Sequence, residues 1–342
     1  MSTHKSIDSG GPGILSAIGN TPLIRLRKVV KDDDLAVFAK LEALNPGGSV
    51  KDRSAFNIID KALKSGAIGP DTVIIESSSG NMGVGLAQAC SYFGLRLICI
   101  VDPKTTLQNI RLMEAYGCEV ELLTEPDRVT GEFLQARINR VKTLRSRIKN
   151  SYWPDQYSNL NNSSAHHQTM REMAASLNGK VDYLFCATST CGTLRGCAEY
   201  VRQHELPTKV YAVDAVGSVI FGGQKAHRLI PGHGAAIVPP LYQTDLADEC
   251  VQVSDLDCVV GCRWLARQEA ILVGGSSGAV FMAFEHVKDQ LEPGSNCVLV
   301  FADRGERYLD TIYSNVWVKE HFGQIPAPWE TISEEPCLTA TY

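Results

Sequence analysis

The segment Asn45-Pro46-Gly47-Gly48-Ser49-Val50-Lys51-Asp52-Arg53 places a lysine at the mouth of a forced turn, with a helix pattern just beyond it. A lysine held out of water there loses its preference for the charged form and becomes a nucleophilic amine. Taken alone, the segment more often means an ordinary helix start with solvated Lys51, Asp52 and Arg53. Two further clusters change that weighting. Glu76-Ser77-Ser78-Ser79-Gly80-Asn81-Met82-Gly83 sets hydroxyls, an amide and free N–H groups at a helix start, which suits a carboxylate; a plain Ser/Asn cap has the same composition. Ser189-Thr190-Cys191-Gly192-Thr193 can form a nest of N–H groups with flanking hydroxyls, which suits a phosphate. Gly274-Gly275-Ser276-Ser277-Gly278 has the composition of a linker, but a helix pattern follows it at once. No segment ends in Gly-Lys-Ser/Thr as a P-loop does, and no G-x-G-x-x-G follows a strand, so a nucleotide ligand is not expected.

Such turns need strands and helices in alternation to hold them. Short apolar runs at 36–41, 73–76, 96–101, 120–123, 183–187, 210–214 and 297–301 predict strands. Longer periodic stretches at 54–64, 83–93, 108–116, 131–148, 165–177, 193–203, 256–268 and 278–288 predict helices. Buried strands alternating with helices imply an α/β fold of parallel sheets covered by helices. Two of the Gly-rich turns leave a strand and open a helix, and the third opens the helix after it. Ligands of open α/β sheets bind at the carboxyl ends of strands, so three such turns can surround a small anionic ligand.

Composition narrows the class of function. Apolar residues make up 44% of the 342 and charged residues 21%, the balance of a globular enzyme-sized chain rather than a disordered one. The net charge of −5 leaves no basic excess for nucleic acid. No apolar run approaches the roughly 18 residues of a membrane span, and residues 1–13 lack the apolar core of a signal peptide. Eleven cysteines, an odd number spread from Cys90 to Cys337, fit reduced thiols in a cytoplasmic protein better than a disulfide framework. Cys258 and Cys262 can share a helix face, but no second pair follows at zinc spacing, so no metal is expected. His166 and His167 read as a polar helix face rather than a ligand pair. Residues 1–13 and the proline- and acid-rich stretch 326–342 are expected to be flexible tails.

Together the motifs resemble the fold-type II pyridoxal 5′-phosphate (PLP) enzymes of the cysteine synthase and cystathionine β-synthase family. The matching residues are Gly19-Asn20-Thr21-Pro22-Leu23, the Lys51 segment, Ser79-Gly80-Asn81, Ser189 to Thr193 and Gly275-Ser276-Ser277-Gly278, in the family's order. The resemblance implies a two-lobed fold of the tryptophan synthase β type. One lobe would span 38–151, the other 14–37 with 152–325, with PLP between them and a homodimer as the assembly. It further implies that Lys51 carries the cofactor and shuttles the α-proton. Asn81 would bond the cofactor's 3′-oxygen, Ser189, Thr190, Cys191, Gly192 and Thr193 would cradle its phosphate, and Ser276 would face the pyridine nitrogen. Ser78, Ser79, Gly80, Asn81, Met82, Gln156 and Tyr157 would hold the amino-acid substrate. A neutral hydroxyl at the ring nitrogen makes a weaker electron sink than a carboxylate partner would, which favours loss of the β-substituent and its replacement.

A narrower resemblance rests on Val101-Asp102-Pro103-Lys104, Glu125-Pro126-Asp127, the run from Val213 to Gly222, and Asp303-Arg304-Gly305-Glu306-Arg307-Tyr308-Leu309-Asp310. These segments are similar to the N-(2-amino-2-carboxyethyl)-L-glutamate synthases of 2,3-diaminopropionate and siderophore biosynthesis. That likeness implies O-phospho-L-serine as donor and L-glutamate as nucleophile. Met82 stands where cysteine synthases carry threonine, and Cys191 where they carry glycine in the phosphate loop; a negative φ at Cys191 would leave that loop intact. A cysteine synthase remains the alternative, and a non-catalytic PLP- or partner-binding homologue is the alternative of another class. Arg137, Arg195, Arg228 and His233 are the unranked candidates for the second substrate's anionic groups. If Lys51 carries the cofactor, borohydride reduction of the yellow protein will fix the pyridoxyl label on Lys51 alone. Peptide mapping reads the result, and a label on any other lysine overturns the assignment.

Overall fold

The computed structural model describes residues 13–30, 34–324 and 326. The first half runs β1 (Leu23–Arg25), β2 (Ala36–Leu41), α1 (Lys51–Lys64), β3 (Val73–Ser77), α2 (Asn81–Phe93), β4 (Arg96–Val101), α3 (Leu107–Ala115), β5 (Glu119–Leu122), α4 (Phe133–Arg147) and β6 (Ser151–Tyr152). The second runs α5 (Leu160–Ser164), α6 (His166–Ser176), β7 (Tyr183–Ala187), α7 (Gly192–Gln203), β8 (Lys209–Ala215), β9 (Glu249–Val253), α8 (Asp255–Gln268), α9 (Gly275–Val287), β10 (Asn296–Phe301) and α10 (Asn315–Phe322). The expected tails fall outside the described residues except at Gly13 and Pro326.

The strands form a four-stranded sheet in the order β5-β4-β3-β6 and a six-stranded sheet in the order β1-β2-β10-β7-β8-β9. Every pairing is parallel except that of β1 with β2. Strand β3 is buried along its whole length, as a strand covered on both faces must be. In the larger sheet Leu299 lies opposite both Ala39 and Phe185, and Phe185 stacks on Tyr211 at 4.6 Å between ring centres. These parallel α/β layers are the fold class that the strand–helix alternation predicts.

The differences from expectation have local causes. β1 and β6 are three and two residues long, too short to show a periodicity, and β9 is an edge strand with two polar residues. The Leu160–Ser164 helix is polar and shows no apolar stripe. The expected lobe boundary at residue 38 falls inside β2, which pairs wholly within the six-stranded sheet. His166 is fully buried rather than part of a polar face, with its ring nitrogens near Ser54 Oγ at 3.0 Å and Thr169 Oγ1 at 3.2 Å. Cys258 and Cys262 do share a face of α8, but both are buried and Cys262 Sγ bonds the Gly274 carbonyl. All ten cysteines among the described residues are free. Among those residues no cluster of three metal-ligating side chains occurs, and no helix is long and apolar enough to cross a membrane.

Helix α1 begins at Lys51, three residues earlier than its apolar periodicity shows. Two contacts fix its first turn. Gly85 lets α2 approach so closely that an added Cβ would meet Ala55 Cβ and the Lys51 carbonyl oxygen, each at 3.1 Å. Two residues along from Lys51, Arg53 is gripped from two sides. Its Nε and Nη2 donate to Glu42 at 2.7 and 2.8 Å, and its Nη1 and Nη2 donate to Glu172 on α6 at 2.9 and 2.7 Å. Lys40 Nζ donates to the second Glu172 oxygen at 2.6 Å, and Thr21 Oγ1 donates to Glu42 at 2.7 Å. Two cations and two carboxylates thus meet in one buried cluster, each with its hydrogen bonds filled.

Burial raises the Glu172 pKa, but Arg53 and Lys40 outweigh it and hold the carboxyl at about 2. Its folded value lies below the unfolded one, so its stabilisation is full above the ordinary glutamate range. It is lost as pH falls from there towards 2. Glu172→Gln leaves Arg53 and Lys40 short of a charge, and unfolding in denaturant at pH 7 should show a loss of about 3 kcal/mol. The variant should also lose less stability than the wild type between pH 5 and pH 3. Equal acid sensitivity in the two proteins would remove Glu172 from that role.

Candidate active site

The carboxyl ends of β3, β4, β7, β8 and β10 open onto one cleft of about 700 Å³. Lys51, Asn81, Ser276, Asp303 and the 226–237 stretch all border it. At its base, a smaller hollow is lined by Lys51, Ser189, Thr190, Cys191, Gly192 and Ser276.

Lys51 projects into this hollow from the first turn of α1, and no hydrogen bond or ion pair engages its Nζ among the described residues. Burial lowers its pKa, against the opposing charges of Asp303 and Glu42. An amine with lowered basicity is the nucleophile the turn predicts. The turn itself is closed by Gly48 at φ +87° and by Gly47 N–H donating to Asp52 Oδ2 at 2.5 Å. Val50 N–H donates to Ala302 O at 2.7 Å, which ties the turn to the end of β10.

The 189–193 loop leaves β7 and enters α7 at Gly192, whose first-turn N–H groups have no acceptor within the helix. A Cβ on Gly192 would meet the Asn162 side chain at 2.5 Å, and Asn162 is itself fully buried with Nδ2 donating to Gln156 O at 2.7 Å. Only glycine leaves both the loop and Asn162 in place. Cys191 has φ +64°, so it occupies the left-handed region that glycine tolerates better, and the condition under which it would leave the loop unstrained is not met. Its buried side chain packs with Leu194 and Cys197 instead.

The 77–82 loop departs from expectation in detail. Ser78 Oγ accepts from Gly83 N–H at 3.0 Å and so caps α2. Met82 borders the cleft, but its side chain is buried in the core of the smaller sheet rather than free for substrate. Ser79 and Gly80 line the cleft, as do Gln156 and Tyr157. Gln156 is held by Nε2 donating to Ser77 O at 3.3 Å and by its N–H donating to Glu76 Oε2 at 3.3 Å. Burial raises the Glu76 carboxyl to about 7 against donors from Ser77, Trp153 and Gln156. Asn81 begins α2 with both amide atoms taken: Nδ2 donates to Asp303 at 2.7 Å and Oδ1 accepts from Arg307. The expected bond to a cofactor oxygen therefore competes with Asp303. Ser276, in the first turn of α9, borders both the hollow and the cleft.

Asp303, Arg307 and Tyr308 carry site geometry that motif spacing does not show. Tyr308 OH donates to Asp303 Oδ2 at 2.6 Å, and Arg307 donates to the Gly47 carbonyl as well as to Asn81. One loop thus braces the lysine turn, the asparagine loop and the start of α9. Of the unranked basic residues, Arg137, Arg228 and His233 border the cleft, while Arg195 is paired with Glu199 away from it. Arg137 is 7% exposed and lies 3.2 Å from Asp102, at an angle that makes no hydrogen bond to Nε.

A buried free amine, a phosphate-sized nest of helix-start donors and a hydroxyl converging on one hollow define a lysine-dependent enzyme with a phosphorylated cofactor. The chain belongs to the pyridoxal-phosphate dependent enzyme family, whose model matches residues 14–303. It is similar to the hydrogen sulfide-producing enzyme of Fusobacterium nucleatum, with 34% identity, a TM-score of 0.81, and 87% of this chain and 100% of that one covered. It is likewise similar to the O-acetylserine dependent cystathionine β-synthase of Helicobacter pylori, with 32% identity, a TM-score of 0.82, and 89% and 99% covered. A cysteine synthase of Entamoeba histolytica shares 29% identity at a TM-score of 0.82, over 95% of this chain and 99% of that one.

The donor set fits PLP. The nest suits its phosphate, Lys51 its aldehyde carbon, and Ser276 its ring nitrogen. Gly192→Ala should displace Asn162 and weaken cofactor retention at least about 10-fold, equivalent to about 1.4 kcal/mol. Loss of the cofactor absorbance on dialysis measures it, and retention equal to wild type would show that the nest does not hold the phosphate.

Proposed function

We propose that the protein replaces the β-substituent of O-phospho-L-serine with the amino group of L-glutamate, releasing phosphate and forming N-(2-amino-2-carboxyethyl)-L-glutamate. The observation that carries the reading is Arg137. A buried guanidinium with one acidic neighbour in ion-pair range among the described residues, at an angle that leaves Nε unbonded, is prepared for an additional anion. Tyr157 feels its charge, and the adjacent Gln156 bonds the Ser77 carbonyl, so Arg137 stands on the wall of the donor-binding loop. We therefore assign it to the phosphate of the donor. The relatives named as sulfide-producing enzyme and cysteine synthase support β-substitution chemistry in general. A cleft of about 700 Å³ with Arg137, Arg228 and Lys104 on its lining offers room and charge that sulfide does not need.

Bound PLP supplies the electron sink that lets the α-proton and then the β-substituent leave. Lys51 Nζ, whose basicity burial lowers, takes the α-proton and later returns it to the same carbon. The N–H groups of the 79–82 loop and Gln156 orient the substrate carboxylate. Arg137 draws the departing phosphate away from the β-carbon. We take the homodimer implied by the motifs as part of the same proposal.

Supplied with both glutamate and sulfide, the enzyme should convert O-phospho-L-serine to the carbon–nitrogen adduct with release of phosphate, read by mass spectrometry. Arg137→Gln should lower kcat/KM for O-phospho-L-serine about 10- to 100-fold, the value of one hydrogen bond to a charged group, and affect O-acetyl-L-serine less. Abundant cysteine from O-acetyl-L-serine with no glutamate adduct from either donor would make the protein a cysteine synthase instead.

A further inference from the structure

The connection between β8 and β9 contains no helix or strand from residue 216 to 248, and part of it walls the cleft. Long structureless loops within a compact fold commonly serve the site they border. Within it His233 is 1% exposed, lines the cleft, and has no hydrogen-bond partner on either ring nitrogen. An unmet polar atom in a protein interior costs about 1–3 kcal/mol, and His233 carries two of them on one ring of the cleft lining.

The ring's placement is enforced on both sides. Arg228 Nη1 donates to the His233 carbonyl at 2.8 Å, Gly234 N–H donates to Thr188 O at 2.7 Å, and Ala235 N–H donates to Ser218 Oγ at 3.0 Å. Burial, and then the Arg228 charge, hold the imidazole pKa down at about 3, so it is neutral and offers one acceptor and one donor. A ligand that fills both positions carries its own N–H donor and its own anionic acceptor. An amino-acid nucleophile has both.

We propose that His233 receives the second substrate, accepting a hydrogen bond from its neutral amino group and so aiming the nitrogen lone pair at the β-carbon. The lone pair forms the new bond, the product nitrogen keeps its protons as an ammonium, and Lys51 returns the α-proton it removed in the first half-reaction. This assignment rests on an amine nucleophile and so deepens the proposed function.

The test uses holoenzyme carrying His233→Leu or His233→Gln. With O-phospho-L-serine alone, one phosphate per site should still be released, which reports folding and the first half-reaction. Glutamate-dependent kcat/KM should fall at least about 30-fold more than the rate of that burst in His233→Leu. His233→Gln, whose amide oxygen also accepts, should recover most of that loss. The imidazole nitrogen resonances of His233 should move when glutamate is added to the wild-type holoenzyme. Glutamate-dependent turnover within twofold of wild type in His233→Leu, resonances that do not move, or equal loss of the burst would overturn the proposal. If the wild type makes no adduct with glutamate, the proposed function fails and the role of His233 falls with it; an adduct whose formation ignores His233 sinks the inference alone.

Discussion

Arg53 is the residue on which the rest of the site depends. It stands two positions after Lys51 on the same helix and is bonded through both edges of its guanidinium, to Glu42 after β2 and to Glu172 on α6. A charge this deep is tolerable only with its partners filled, because an unpaired buried ion costs more than the pair gains. The requirement is strict in geometry as well as in charge: a planar fork facing two carboxylates permits little rotation of the helix that carries it. Helix α1 is thereby held to the end of a strand in the larger sheet and to a helix beside it. The lysine at its first turn inherits that position.

Against this rigid base, the residues around Lys51 are arranged to keep it free. Among the described residues no acid reaches its Nζ, although Asp303 and Glu42 are near enough to act through space. Asp303 is instead committed to Asn81 and Tyr308, with its second oxygen directed towards Gly274. The 303–308 loop thus serves as a shared brace. It joins the lysine turn at Gly47, the start of α2 at Asn81 and the start of α9 at Gly274, through side-chain and backbone bonds. A ligand that competes for Asn81 must therefore disturb Asp303 and Arg307 together, which links occupation of the cleft to the lysine turn.

The polar walls of the cleft are unequal in a way that matches a two-substrate reaction. Arg137 and Tyr157 stand near the loop suited to a carboxylate, while His233 and Arg228 lie on the irregular connection after β8. Both Arg137 and His233 carry buried nitrogen atoms without a hydrogen bond. The buried histidine at 166 differs, being satisfied by Ser54 and Thr169, and Glu76 is satisfied by three donors. Two unmet groups on the lining of one cleft are the features on which the proposed two-ligand reading rests.

Much of this was legible from the residues alone. Alternating apolar runs and helical stretches determine parallel α/β layers because each period matches only one way of burying a backbone. The glycine-rich turns and Lys51 were legible because turn chemistry and helix starts are local properties of a few consecutive residues. Nine of the ten described cysteines are buried, in keeping with the apolar runs that hold several of them. The start of α1 at Lys51, the burial of His166 and the pairing of β2 within the larger sheet were not legible, since each depends on what packs against the segment from far along the chain. The same holds for Cys191, whose positive φ is imposed by the nest it completes, and for Met82, which the core of the smaller sheet takes from the cleft. Arg195 could not be separated from Arg137 by sequence, because a basic residue declares its charge but not its partner. Asp102 and Glu199, brought in by the tertiary fold, decide which of the two stays bonded away from the cleft and which borders it with a buried nitrogen lacking a hydrogen bond.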